Sequence, residues 1–280
     1  MYTIVALYHF TPVDAPHLRA ACREYFATLD LCGSLLVAPE GINGTLAGSK
    51  KNIEAMLSFL GVETGLDRAD VKFSQSPQKP FTRLKVRLKR EIITFNQASA
   101  DPANKGQYVS AKDWNALIKD PDVLVLDTRN AYETAIGVFE GAVDPVLSTF
   151  TQFANYVRKN LDPSRQKKVA MYCTGGIRCE KASAFMKAEG FDEVYHLKGG
   201  ILKYLEEVSP EESLWRGECY VFDKRMAVGH GLSTGSYAMC YGCGDPVTAN
   251  HDTPQFGEGV SCPACRAARS DADKASLRQR

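Results

Sequence analysis

The chain has 280 residues, more than one ordinary domain needs, so two or three units with separate cores are expected. Hydrophobic residues at 44% and charged residues at 24% are the balance of a soluble globular protein. A formal net charge of +1 excludes a global attraction to polyanions, so any contact with nucleic acid has to be a local patch.

No apolar run reaches the length of a membrane span, and the opening MYTIVALYHF lacks the basic leader and cleavage pattern of a signal peptide, so a cytoplasmic protein without membrane contact is expected. Nine cysteines, an odd number with four in two C-x2-C pairs, point to metal and thiol chemistry more than to disulfides.

Residues 1–95 read as a ferredoxin-like α+β sandwich, similar to acylphosphatase, in β-α-β-β-α-β order. IVALYHF has strand character, and Asp14 to Leu29 places Leu18, Cys22, Phe26 and Leu29 on one helical face. GSLLVAPEG and GINGTLAG form two strands about a tight turn. Lys50 to Leu60 is a second amphipathic helix, and a strand near Val71 to Ser74 completes the order. From Arg83 to Lys89 basic and apolar residues then alternate, so Arg83, Lys85, Arg87 and Lys89 share one face of a strand. With Lys79 and Arg90 this stretch holds six positive charges and no negative one. Same-face residues recur every ~6.6 Å, a spacing that can follow phosphates and release counterions. An edge strand charged against aggregation has the same pattern.

Residues 96–112, rich in small polar residues with Pro and Gly, read as a linker. Residues 113–210 form a second unit. The apolar strand VLVLDTR ends at Asp127 and Arg129, and VAMYC and EVYHL alternate with helical segments, the pattern of a parallel sheet covered on both faces. VAMYC ends on Cys173, a glycine-bearing loop follows, and Cys179 opens a helical segment. Backbone amides and the positive end of a helix dipole would favour the Cys173 thiolate, which makes Cys173 the candidate nucleophile provided that its sulfur is reachable. A buried, inert cysteine at a strand end is the competing reading. Cys179 is a resolving thiol or second nucleophile. Arg178 either binds an anionic substrate group or pairs with a neighbouring carboxylate.

Asp127-Thr-Arg129, Tyr132-Glu133, Gly137 with Phe139, Gly141 and Ala142, the loop Cys173–Arg178, and Tyr195 to Gly200 together resemble a rhodanese domain. The resemblance implies that Cys173 can carry sulfur as a persulfide. A histidine frequent in that family is Val138 here. The loop Cys173, Thr174, Gly175, Gly176, Ile177 and Arg178 has six residues, the rhodanese size; phosphatases of the same fold have one more, so phosphatase activity is not expected.

Residues 211–280 read as a small Cys-rich module with a disordered tail. Cys240-x2-Cys243, eighteen residues and Cys262-x2-Cys265 match the spacing of a four-thiolate structural zinc site, with a redox dithiol pair as the alternative. No G-x-G-x-x-G follows a strand, so no flavin or nicotinamide site is indicated, and five scattered histidines, His9, His17, His196, His230 and His251, define no iron site.

The order of parts, with KPFTRLKVRLKREI, CTGGIRCEKA, GECYVFDKR and a cysteine-rich end, resembles the rhodanese-containing tRNA uridine(34) hydroxylases along nearly the whole chain. That resemblance implies oxygen-dependent hydroxylation at C5 of the wobble uridine, with the tRNA anticodon loop as partner and molecular oxygen as co-substrate. The competing function is a sulfurtransferase fed by thiosulfate or a sulfur-donor protein, which would use the same Cys173. A non-enzymatic tRNA-binding protein with an inert thiol is the third reading.

Overall fold

A computed structural model describes residues 1–240 and 242–248 together with Cys262, Cys265, Ala267 and Ser270; His251 and the tail from 271 lie outside the described residues. The first unit is built on strands β1 (Tyr2–Phe10), β2 (Leu31–Ala38), β3 (Gly41–Gly48), β4 (Lys72–Ser76) and β5 (Leu84–Leu88), in sheet order β4-β1-β3-β2-β5. Helices α1 (Ala15–Ala27) and α2 (Lys50–Thr64) cover one face of this sheet. Asp14 caps α1 by accepting from the His17 amide, and Ser49 caps α2 from the Asn52 amide. Leu18, Cys22 and Phe26 of α1 and Ile53, Met56 and Leu60 of α2 are buried at helical spacing against Val5, Leu7, Leu35, Val37, Ile42 and Leu46 of the strands. The ferredoxin-like order is therefore present, extended by β5, which pairs parallel to β2 at the sheet edge.

The second unit has a parallel sheet of β6 (Gln107–Val109), β10 (Glu193–Leu197), β9 (Lys168–Tyr172) and β7 (Val123–Asp127), in that order. Helices α3 (Ala111–Ile118), α4 (Ala131–Thr134), α5 (Phe153–Asn160), α6 (Ile177–Ala188) and α7 (Gly200–Glu207) connect them, with β8 (Gly137–Phe139) between α4 and α5. Both faces are packed, by Phe95, Phe150, Phe153 and Phe185 on one side and Trp114, Phe139, Tyr204 and Trp215 on the other. The expected linker 96–112 needs correction. It carries β6, an edge strand of this sheet, and the start of α3, because Gln107–Val109 hydrogen-bonds in register with Tyr195–Leu197.

Helix α6 is buried on all sides from Arg178 to Met186, including Glu180 and Lys181. One face packs on the core of the second unit, and the charged face is covered by the first unit. Tyr8 donates to Glu180 at 2.9 Å, and Lys181 pairs with Glu40 at 2.8 Å and Glu91 at 2.5 Å. After α7, β11 (Trp215–Gly217) pairs antiparallel with β8, and β12 (Cys219–Tyr220) pairs with β13 (Ala227–Val228). The turn between those two strands reaches back to the first unit, where Arg225 donates to the Ser74 hydroxyl at 3.0 Å and the Lys224 amide to the Pro80 carbonyl at 3.3 Å. The last described pair is β14 (Tyr237–Met239) with β15 (Pro246–Thr248). No helix among the described residues is long and apolar enough to cross a membrane.

Candidate active site

Strand β9 delivers Cys173 to the end of the parallel sheet, and the chain turns through Thr174, Gly175 and Gly176 into α6. The helix begins at Ile177, two residues earlier than Cys179, so Arg178 and Cys179 already belong to its first turn. Gly176 makes the turn at φ 100°, a left-handed conformation that only glycine adopts readily. Its amide donates to Cys173 Sγ at 3.1 Å. The loop is braced from α7, whose Ile201 and Leu202 amides donate to the Cys173 and Thr174 carbonyls at 3.0 and 3.1 Å. Gly200 fits at that junction because a side chain there would begin 2.5 Å from the Cys173 carbonyl oxygen.

Burial works against charge on Cys173, yet its pKa is lowered to about 6, because the Cys179 thiol, the Arg178 charge and the amides at the start of α6 all stabilise the thiolate. Cys179 moves the opposite way. Burial and the adjacent Cys173 charge hold it as a thiol, with the Thr128 hydroxyl 3.6 Å from its sulfur. That placement suits Cys179 to donate a hydrogen bond to Cys173 rather than to attack substrate.

Of the two partners open to Arg178, the carboxylate is the one present. Its guanidinium donates to Glu133 at 2.7 and 2.8 Å, and Thr174 donates to the same carboxylate at 3.1 Å. Asp127 and Arg129 form a second fully buried pair at 2.6 Å, and Arg129 also donates to the carbonyls of Gly137 and Glu133. Both pairs fix the segment on which the thiol loop rests.

Cys173 is only 1% exposed, which corrects the expectation of an open sulfur. The residue instead lines a cavity of about 390 Å³ between the thiol loop and the open face of the first sheet. That volume is in the range of small-molecule sites. Phe222, 55% exposed, stands in its wall, so the cavity meets solvent there. Ser34 and Leu36 of β2 also line it, and they pair in register with Lys85 and Arg87 of β5. Cross-strand partners share a face, so the basic row lies on the face that bounds the cavity, while Leu84 and Val86 turn to the helices. Lys79, Arg83, Arg87, Lys89 and Arg90 are exposed and Lys85 is half-buried. None of the six joins an ion pair among the described residues.

Several residues of this site escape sequence reasoning. Tyr8, Lys72, Phe222 and Arg225 enter the cavity; Tyr8 and Lys72 stand in strands with no motif, and Phe222 and Arg225 fall in the GECYVFDKR segment, which carries the family resemblance but assigned them no role. Arg225 is bound to Asp223 at 2.6 Å and is thereby held against Ser74.

The four cysteines of the C-terminal module converge. Their sulfur atoms lie within 4.8 Å of one another, with Cys240 to Cys265 at 3.7 Å and Cys243 to Cys262 at 3.8 Å. Thiolates about 2.3 Å from a tetrahedral ion are separated by about 3.8 Å, so this donor set fits one metal ion. The Cys262 amide donates to Cys240 Sγ at 3.1 Å, as suits a sulfur carrying negative charge.

Comparison with known proteins follows the same division of the chain. Residues 2–92 match the UPF0176 acylphosphatase-like domain and residues 110–207 the rhodanese-like domain. A solved rhodanese-like domain from Anabaena sp. is 20% identical, covering 39% of this chain and 78% of its own, at a TM-score of 0.33. The tRNA uridine(34) hydroxylase of Rhizobium etli is 53% identical over the whole of this chain and 91% of its own length. That of Agrobacterium fabrum is 51% identical over the whole of this chain and 90% of its own. Identity of that extent, over the whole of the chain, makes it a member of the tRNA uridine(34) hydroxylase family of enzymes.

Proposed function

We propose that this protein hydroxylates C5 of the wobble uridine of tRNA in the cytoplasm, with molecular oxygen as co-substrate and Cys173 as nucleophile. The observation that carries the reading is a low-pKa thiol at the floor of a cavity whose sheet wall continues into a basic edge strand with no carboxylate partners among the described residues. A wobble base lies in a single-stranded loop and can be turned out of its stack at a cost of a few kcal/mol. The buried position of the sulfur requires such a turned-out base, and the basic residues Lys79, Arg83, Lys85, Arg87, Lys89 and Arg90 hold the phosphates beside it.

The Cys173 thiolate adds to C6 of the uracil, and the π pair of the C5–C6 double bond moves towards C5 and O4. Electron-rich C5 then takes an oxygen atom from O2, whose second atom leaves as water at the expense of an external two-electron donor. Loss of the C5 proton and departure of the thiolate restore the ring. Thr174, Gly175, Gly176 and Ile177 form the cradle around the sulfur, Arg178 with Glu133 and Asp127 with Arg129 fix it, and Cys179 donates to it. The four C-terminal cysteines hold a structural zinc ion, which ties together a segment with little apolar core of its own.

The test is Cys173→Ser in the full chain, assayed by mass spectrometry of nucleosides from substrate tRNA. Hydroxyuridine is expected to disappear while tRNA affinity stays within about twofold, and product from the variant would exclude the mechanism. If cells lacking the protein lose a thiolated wobble uridine instead, the reaction is sulfur transfer.

A further inference from the structure

We propose that Lys72 is a catalytic residue of this site: it faces the Cys173 thiolate across the cavity and takes the negative charge that moves onto O4 of the uracil when sulfur adds to C6. The inference rests on the hydroxylase reading and adds to it a charge supplied by the first domain.

The thiol loop has no free cation of its own. Arg178 gives both terminal nitrogens to Glu133, and the pair together is neutral. Lys72, the first residue of β4, enters the cavity from the opposite wall. Its ammonium sits over the Tyr8 ring, 4.7 Å from the centroid, and its only hydrogen bond among the described residues is to the Asp70 carbonyl at 3.3 Å. No carboxylate forms an ion pair with it among the described residues. Cε lies 3.6 Å from the position that a side chain on Gly199 would take first. Gly199 precedes the helix whose amides brace the carbonyls of Cys173 and Thr174, so the lysine stem rests on the scaffold of the thiol loop. Tyr8, under the ammonium, is locked by its hydrogen bond to Glu180.

The electrostatics follow from this placement. Burial lowers the Lys72 pKa to about 8; Cys173, Asp70 and Glu180 favour its charge and Lys203 opposes it. Tyr8 stays a neutral phenol because burial and Glu180 raise its pKa well above the ordinary value. Lys72 is therefore mostly charged at neutral pH and half-buried in the cavity wall, where a single charge acts more strongly than at an open surface. In the addition step one sulfur lone pair forms the S–C6 bond and the displaced π pair becomes an enolate ending on O4. No atom leaves and nothing is oxidised. Lys72 hydrogen-bonds that oxygen, and the charge returns to sulfur when the thiolate departs.

The experiment compares wild type, Lys72→Met, Lys72→Gln and Lys72→Arg in the full chain. First, the rate of Cys173 carbamidomethylation by iodoacetamide is followed against pH by peptide mass spectrometry. Wild type should inflect near the thiolate pKa of about 6. The two neutral variants should inflect about one unit higher and react about tenfold more slowly at pH 5, with arginine restoring the wild-type profile. Second, single-turnover hydroxylation should fall about a hundredfold in the neutral variants with tRNA affinity unchanged. Superimposable pH profiles, or equal turnover in wild type and Lys72→Met, overturn the inference and leave the hydroxylase reading standing. A wild-type protein that forms no hydroxyuridine overturns that reading and the O4 role with it, while a shifted alkylation profile would still support the pairing of Lys72 with Cys173.

Discussion

Removing Glu133 tests whether the thiol loop is held by a buried charge pair. Its carboxylate accepts from Arg178 at 2.7 and 2.8 Å, from Thr174 at 3.1 Å and from the Asn130 amide at 3.1 Å. Glu133→Ala would leave the guanidinium of Arg178, a residue only 6% exposed, without its counterion. Breaking a buried pair from one side costs about 3–5 kcal/mol, which at about 2–4 °C per kcal/mol lowers Tm by roughly 6–20 °C. The pH dependence has a definite sign. Burial raises the Glu133 pKa, but the Arg178 charge and hydrogen bonds outweigh it and leave the folded value below the usual one. The stabilisation is thus complete above the unfolded carboxylate pKa of about 4.3 and is lost as pH falls through the folded value. Thermal scans of wild type and variant should differ fully at pH 7 and converge in acid. Adding Arg178→Met should recover part of the loss, because an apolar pair needs no counterion. A fall in Tm under roughly 2 °C, a gap that ignores pH, or a double variant as unstable as the single one would refute the argument.

Two further outcomes are expected. Changing Arg83, Lys85, Arg87 and Lys89 together to Glu should weaken tRNA binding and reduce the slope of log K against log salt by about 3, as four lost phosphate contacts predict; an unchanged slope in filter binding would make the row a solvated edge. Elemental analysis should find one zinc per chain, lost in Cys262→Ser, and chelation should expose the C-terminal module to protease while the Cys173 alkylation rate holds; a metal-free protein with the same protease resistance would remove the structural role of the ion.

The parts legible in the sequence are those in which one local rule decides. Helices α1 and α2 follow from their apolar spacing, the thiol loop from strand, glycine and helix in succession, and the cysteine cluster from its two pairs. Helix α6 shows where local rules stop. Nothing in its own sequence shows that Glu180 and Lys181 are buried, yet the first domain covers them, and Tyr8, Glu40 and Glu91 supply partners 90 or more positions away in sequence. Lys72 is hidden for the same reason. On its own strand it is one lysine beside a phenylalanine, and only the docking of two domains sets it opposite a cysteine a hundred residues later. The sulfur at 173 follows the same logic in reverse: the motif announces a reactive thiol, while its burial and its reach through a cavity are set by the sheet packed above it. Chemistry that depends on both domains should accordingly fail when their contact is loosened at Lys181 or Tyr8, even with every residue of the loop intact.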